Sequence, residues 1–160
     1  MQNVLLAIDE SSHSEAAISS VERFRPETAR IRVIHVVEWP QRLAAPFCFA
    51  EGSSAADSVL AVHDAMGKAG RELLTRAEAR LRLAGFEVDS HLGEGDARQE
   101  ILNQAAAWPA DLIVLGSHGR TGLDRFLLGS VSDNVVRHAP CSVEIVRTRR
   151  LPGAATRAVS

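Results

Sequence analysis

Lysine is almost absent from this chain: of 160 residues only Lys68 is one, and the remaining positive charge is carried by arginine. A P-loop phosphate cradle needs a Gly-Lys-Ser/Thr ending, so that architecture is excluded. The formal net charge of −2 leaves no basic field of the kind that nucleic acid requires. Cysteine is scarce too, and Cys48 and Cys141 stand in dissimilar contexts that make no disulfide framework. His13, His35, His63, His91 and His138 show no metal-ligand spacing and read as surface or partly packed residues. No run approaches the ~20 apolar residues of a membrane span. Met1 to Ile8 leads straight into a strand pattern, without a basic leader region or cleavage site. A reduced, cytoplasmic protein with no membrane or nucleic-acid partner is the expectation.

What is present is a regular alternation. Apolar runs at Val4–Ile8, Ile31–Val37, Val88–Leu92 and Leu112–Leu115 read as buried strands, and Val143–Val146, which carries Glu144, as a fifth. Helical periodicity fills the gaps. Ser14 to Phe24 places Ala17, Ile18, Val21 and Phe24 on one side. Asp57 to Ala84 carries a stripe through Val59, Val62, Met66, Ala69, Leu73, Ala77 and Leu81, stopped by Gly85. Asp96 with Gln99 suggests a capping box for a helix ending at Trp108-Pro109, and Ser130 to His138 is the last helix. The order βαβαβαβαβ predicts an α/β fold: one doubly wound, five-stranded parallel sheet of order 3-2-1-4-5, with helices on both faces. Residues 1–147 form the expected domain. Residues 148–160 read as a flexible tail, and residues 38–56 as a long loop able to fold over the ligand.

The reversal of strand order between strands 1 and 4 is where such sheets bind ligands. Topology brings two features there. Asp9 follows strand 1, and a glycine ladder follows strand 4: Gly116-Ser117-His118-Gly119, then nine residues, then Gly129-Ser130. Glycines allow an anion to approach backbone N–H groups, and a helix starting near Ser130 would add unsatisfied N–H groups and its positive dipole end. Strand, glycine turn and helix start form a phosphate cradle. By contrast Gly93-Glu94-Gly95 has Arg98 where a dinucleotide fingerprint needs its third glycine, and reads as a strand-to-helix turn.

The segment from Gly116 to Ser132, with its Gly-x2-Gly-x9-Gly-Ser spacing, resembles the signature of the universal stress protein family in its ATP-binding branch. Val4 to Ser12, His35-Val36-Val37-Glu38 and Gly93 to Asp96 resemble other parts of the same family, so the match covers nearly the whole chain. The resemblance implies ATP as ligand, with Mg²⁺ as a candidate companion. It gives Asp9 a contact with the adenine or ribose edge and the Val36 backbone a hydrogen bond to adenine. It places Gly116 and Gly119 around the ribose and phosphates, and Gly129, Ser130, Val131 and Ser132 at the phosphates. Ser11 and Arg120 are further candidates, and Arg125 could also meet phosphate charge. The family also implies a homodimer paired through strand 5, Val143–Val146. Two departures stand out: Cys141-Ser142 replaces the frequent Cys-Pro, and Glu144 within that strand is a device that can block edge pairing.

Each feature has a plainer reading. Asp9 alone could cap a helix, with Ser11, Ser12 and Ser14 close by. His118 has no local carboxylate to orient it as a base. The expected function is a regulatory, adenine-nucleotide-binding stress-response module with no catalytic residues. The alternatives are a slow ATP hydrolase or autophosphorylating protein, with Thr121, Ser130 and Ser132 as acceptors, and a nucleotide-free structural dimer.

Overall fold

Nine elements alternate in the computed structural model, which describes residues 2–24, 26, 28–38, 54–117 and 128–148. They are β1 (Asn3–Ala7), α1 (Ser12–Phe24), β2 (Arg30–Val37), α2 (Ser54–Leu83), β3 (Glu87–Glu94), α3 (Ala97–Ala107), β4 (Leu112–Gly116), α4 (Ser130–His138) and β5 (Ser142–Val146). All strand pairs are parallel and the order is β3-β2-β1-β4-β5, as the apolar pattern predicts. Among the described residues no helix is long and apolar enough to cross a membrane.

Period two along the strands sorts side chains into two cores. Val4, Leu6, Ile31, Val33, Leu112 and Val114 meet α1 and α2 on one face through Ala17, Val21, Leu73, Ala77 and Leu81. Leu5, Ala7, Ile34, Ile113 and Leu115 meet α3 and α4 on the other through Ile101, Ala105 and Val135. The central strands are buried on both faces, which is why they read as continuous apolar runs. The side chain of Phe24 lies outside the described set.

Charges set the register at one edge. Arg30 stands opposite Glu87 and Arg32 opposite Asp89. Arg32 grips Asp89 with two hydrogen bonds of 2.6 and 2.8 Å and lies 4.8 Å from the centre of the Trp108 ring. Cross-strand pairs on one face resist a slip of β3 along β2.

The long helix departs from its sequence pattern. The apolar stripe runs the full length of α2, yet only its second half is packed: Leu73, Ala77 and Leu81 are buried, whereas Val62 is 54% exposed. The cause is length. Thirty residues of helix span about 45 Å, against about 26 Å for an eight-residue strand, so the first turns overhang the sheet.

The third helix starts at a simpler cap than the sequence suggests. Asp96 accepts the N–H of Arg98 at 2.9 Å, but Gln99 turns forward to Asn103 instead of reaching back. Gly95, at φ +109°, makes the turn into it, in line with the strand-to-helix reading of Gly93-Glu94-Gly95.

Candidate functional site

β1 sends its helix to one face and β4 sends its helix to the other, so a cleft opens between their carboxyl ends. It has a volume of about 230 Å³ and is lined by the exits of β1, β2 and β4 and the first turns of α3 and α4. Asp9, Val36, Gly116, Gly129, Ser130, Val131 and Ser132 all line it. Gly119 and Arg120 lie outside the described residues, as do His118, Thr121, Arg125, Cys48 and most of the 38–56 loop.

At the β1 exit, Asp9 Oδ1 is fully engaged. It accepts the Ser11 N–H at 3.0 Å and the Ser14 hydroxyl at 2.6 Å, while Ser14 Oγ accepts the Asp9 N–H at 2.7 Å. The helix cap is Ser11, whose hydroxyl accepts the Ser14 N–H at 3.3 Å. The plainer reading of Asp9 as the cap is therefore displaced one turn position onward. Asp9 forms an Asx turn with one oxygen, and Oδ2 makes no hydrogen bond among the described residues. One carboxylate oxygen thus stays available in a half-buried position at the cleft wall.

At the β2 exit, the peptide of Val36 is exposed by topology. Ile34 points its carbonyl at β1, where it accepts the Ile8 N–H at 2.9 Å, so Val36 two residues on faces the same way. The β1–β2 register stops at Ala7 and Ile34. Val36 therefore presents N–H and C=O side by side to the cleft. Glu38 follows, and its Oε1 reaches the Ala97 N–H at the start of α3 at 3.4 Å.

At the β4 exit, the glycines divide their work. A Cβ on Gly116 would lie 2.6 Å from His13 Cβ and 3.0 Å from its backbone, so this glycine lets α1 approach β4. Ser117 is buried, and its carbonyl accepts both the Gly129 N–H at 2.9 Å and the Ser132 hydroxyl at 3.0 Å. That carbonyl ties together the two ends of the segment between them. The Ser132 hydroxyl also reaches Gly129 O at 2.9 Å, so its single proton is directed at carbonyls.

The start of α4 is uncapped. Gly129 is the N-cap and has no side chain to offer, and the first intrahelical bond runs from Asp133 N–H to Gly129 O. The N–H groups of Ser130, Val131 and Ser132 remain without a partner among the described residues, at the positive end of the helix dipole. Asp133 in that first turn is turned onto Arg137 at 2.9 and 3.1 Å, and this pairing holds its carboxyl below the usual range. Three N–H donors at a helix start beside a cleft are an arrangement suited to receive an anion.

Sequence reasoning missed some of the wall. His35, read as a surface or partly packed residue, is half-buried with Nδ1 2.9 Å from Ile8 O, and it also lines the cleft. The other described histidines are occupied elsewhere, His63 and His91 by Glu94 and Glu100, His13 by Thr148 and His138 by Asn134 O. Among the described residues no cluster of three His, Cys, Asp or Glu could hold a metal ion. Burial pushes the Cys141 thiol up, the direction that disfavours the reactive thiolate.

With the geometry known, the comparisons decide the family. The model of the universal stress protein family matches residues 1–147. This chain belongs to the universal stress protein family. A universal stress protein of Methanocaldococcus jannaschii is 31% identical over 147 residues, covering 91% of this chain and 82% of its own. Among solved structures, the protein MJ0577 superposes with a TM-score of 0.80 at 22% identity, over 94% of this chain and 98% of the other. An Arabidopsis thaliana member solved with AMP bound gives 0.61 at 17% identity, over 93% of each chain. An Archaeoglobus fulgidus member in complex with dAMP gives 0.57 at 22%, over 91% and 97%. At these identities the structural likeness is one of fold.

Proposed function

We propose that this universal stress protein is a regulatory module that binds an adenine nucleotide, ATP in the first place, in the cleft between β1 and β4. The observation that carries the reading is the uncapped start of α4, whose three N–H groups share one cleft with the Asp9 oxygen that makes no hydrogen bond among the described residues. Phosphates would lie at Ser130, Val131 and Ser132, with Gly129 allowing their approach and Gly119 and Arg120 contributing from the loop. The base would lie against the Val36 peptide, with Asp9, and Ser11 beside it, toward the adenine or ribose. Relatives of the fold solved with AMP and dAMP support the choice of an adenine nucleotide.

The chain's residues fit Mg²⁺ as a companion of the phosphates, since that ion keeps several waters and needs only one or two carboxylates besides the nucleotide. Where Mg²⁺ accompanies the phosphates, Asp9 Oδ2 would face the ion in place of the adenine or ribose. Of the candidate acceptors, Ser132 has its hydroxyl proton committed to backbone carbonyls, whereas Ser130 keeps an exposed hydroxyl at the cleft. Binding without turnover is the reading we prefer. We also assign the module to the cytoplasm and to a homodimer paired through β5.

Heat denaturation of the freshly purified protein, with the released nucleotide identified by chromatography and mass, tests the reading directly. Stoichiometric ATP or ADP is expected. The emptied protein, given ATP at about a hundred times its dissociation constant, should gain roughly 2.7 kcal/mol of stability. Gly129→Val should lose that gain with its ligand-free fold kept, because φ −63° and ψ 157° are open to valine. An equal gain in the variant would refute the phosphate assignment.

A further inference from the structure

The β1–β2 ladder ends one rung early, and a side chain ends it. Ile8 N–H still donates to Ile34 O at 2.9 Å, so the next rung in a parallel pair would be Val36 N–H to Ile8 O. The Ile8 carbonyl instead accepts from His35 Nδ1 at 2.9 Å. A carbonyl can only accept, so this bond fixes the ring proton on Nδ1. The neighbouring peptide, Val37, turns the other way and gives its carbonyl to Gly95 N–H at 3.0 Å. The Val36 N–H and C=O thus bond to neither neighbouring strand, although Val36 stays in register with Gly93.

The ring is held there from above. A Cβ on Gly70 of α2 would stand 2.8 Å from His35 Cδ2 and 2.8 Å from Leu92 Cδ1. The helix therefore lies directly on the imidazole, with no room for a methyl group. Gly70 is not itself among the residues lining the cleft, so its contact with His35 is not a contact with a ligand.

We infer that His35 is a positioning residue for base recognition: by occupying the Ile8 carbonyl it keeps the Val36 N–H and C=O free to read the edge of a nucleobase. The inference rests on the nucleotide reading of the cleft. A peptide N–H beside its neighbouring C=O complements the N1 acceptor and N6 amine of adenine. Guanine offers an N1–H donor and an O6 acceptor in the reverse order, and fits only with the base displaced. His35 thus sets the choice of base through the Val36 peptide.

The test titrates nucleotide-free full-length protein with ATP and with GTP by calorimetry, and records thermal unfolding of every ligand-free variant. Wild type is expected to prefer ATP. His35→Leu removes the donor while filling the space, and should weaken ATP binding about tenfold, the value of one hydrogen bond. Its ATP-to-GTP preference should fall with it. His35→Asn places an amide N–H where Nδ1 stood and should restore the preference. Gly70→Ala should reproduce the loss by displacing the ring, and combined with His35→Leu should add nothing further. An unchanged ATP-to-GTP ratio in folded His35→Leu, or in Gly70→Ala should His35→Leu not fold, overturns the inference. So does a His35→Asn variant as impaired as His35→Leu. Wild type that binds neither nucleotide overturns the nucleotide reading itself and this inference with it.

Discussion

Ser132 shows how a residue that suits a ligand can belong to the frame around it. Its place in the first turn of α4 suggests a hydroxyl offered to phosphate, yet the side chain is 2% exposed and aimed at the carbonyls of Ser117 and Gly129. What it can offer a phosphate is its N–H. Ser132→Ala should then cost about 1 kcal/mol of stability, the low end for a buried hydrogen bond, because both carbonyls keep a second donor. The ATP affinity of the variant should stay within about twofold of wild type, well under the 1.4 kcal/mol that a tenfold change requires. Urea denaturation beside an ATP titration separates the two roles. A large affinity loss at unchanged stability would return the hydroxyl to the ligand.

At the scale of elements, α3 is the wall of the cleft whose position depends on an exposed cap. The hydrogen bonds from Arg98, its side chain foremost, hold the Asp96 carboxyl below its ordinary range, against the opposing effect of burial. A carboxylate depressed in the folded state contributes stability above its unfolded pKa of about 3.9, and loses it as pH falls through the lower folded value. Asp96→Ala should therefore cost about 1 kcal/mol at neutral pH, and the difference from wild type should shrink only in strong acid. Asp96→Asn, which also caps, should keep most of the stability. Urea midpoints across pH 2–7 check this, and a gap that closes already near pH 5 would contradict it. The cap was legible from Asp96 before the Ala97 helix, as were β1, β2 and β4, because strands buried on both faces must be apolar throughout. Less legible were contacts between elements far apart in sequence. The packing of Gly70 on His35 joins β2 to α2, and the grip of Arg80 on Glu15 and Glu22 joins α2 to α1. No local period announces either. The half-packed stripe of α2 was misleading for the same reason, since periodicity records which face is apolar and not how far the sheet extends beneath it.

For the whole molecule the open question is the β5 edge. Val146 directs its carbonyl at β4, where it accepts the Ser117 N–H, so Glu144 and Ser142 face β4 as well, while Val143 and Ile145 direct their peptides outward. Glu144 looked in the sequence like a charge placed to block pairing along this edge. Its carboxylate is instead drawn onto α1, where Oε1 accepts the Ser20 hydroxyl at 2.7 Å. A charge so held lies on the helix-covered face of the sheet and does not stand across the outward peptides. The proposed dimer therefore pairs the outward N–H and C=O groups of Val143 and Ile145 with those of a second chain. Proline at 145 would remove one outward donor and leave the inward ladder to β4 whole, the placement that sheets tolerate at an edge. Ile145→Pro should sediment as a monomer where wild type sediments as a dimer. Loss of the partly buried isoleucine against the α3–α4 core should lower stability by about 1–2 kcal/mol. Nucleotide titration should be retained, because none of the residues lining the cleft comes from β5. A variant that sediments with wild type would move the interface away from β5. Loss of nucleotide binding on dissociation would instead show that the cleft is completed by pairing.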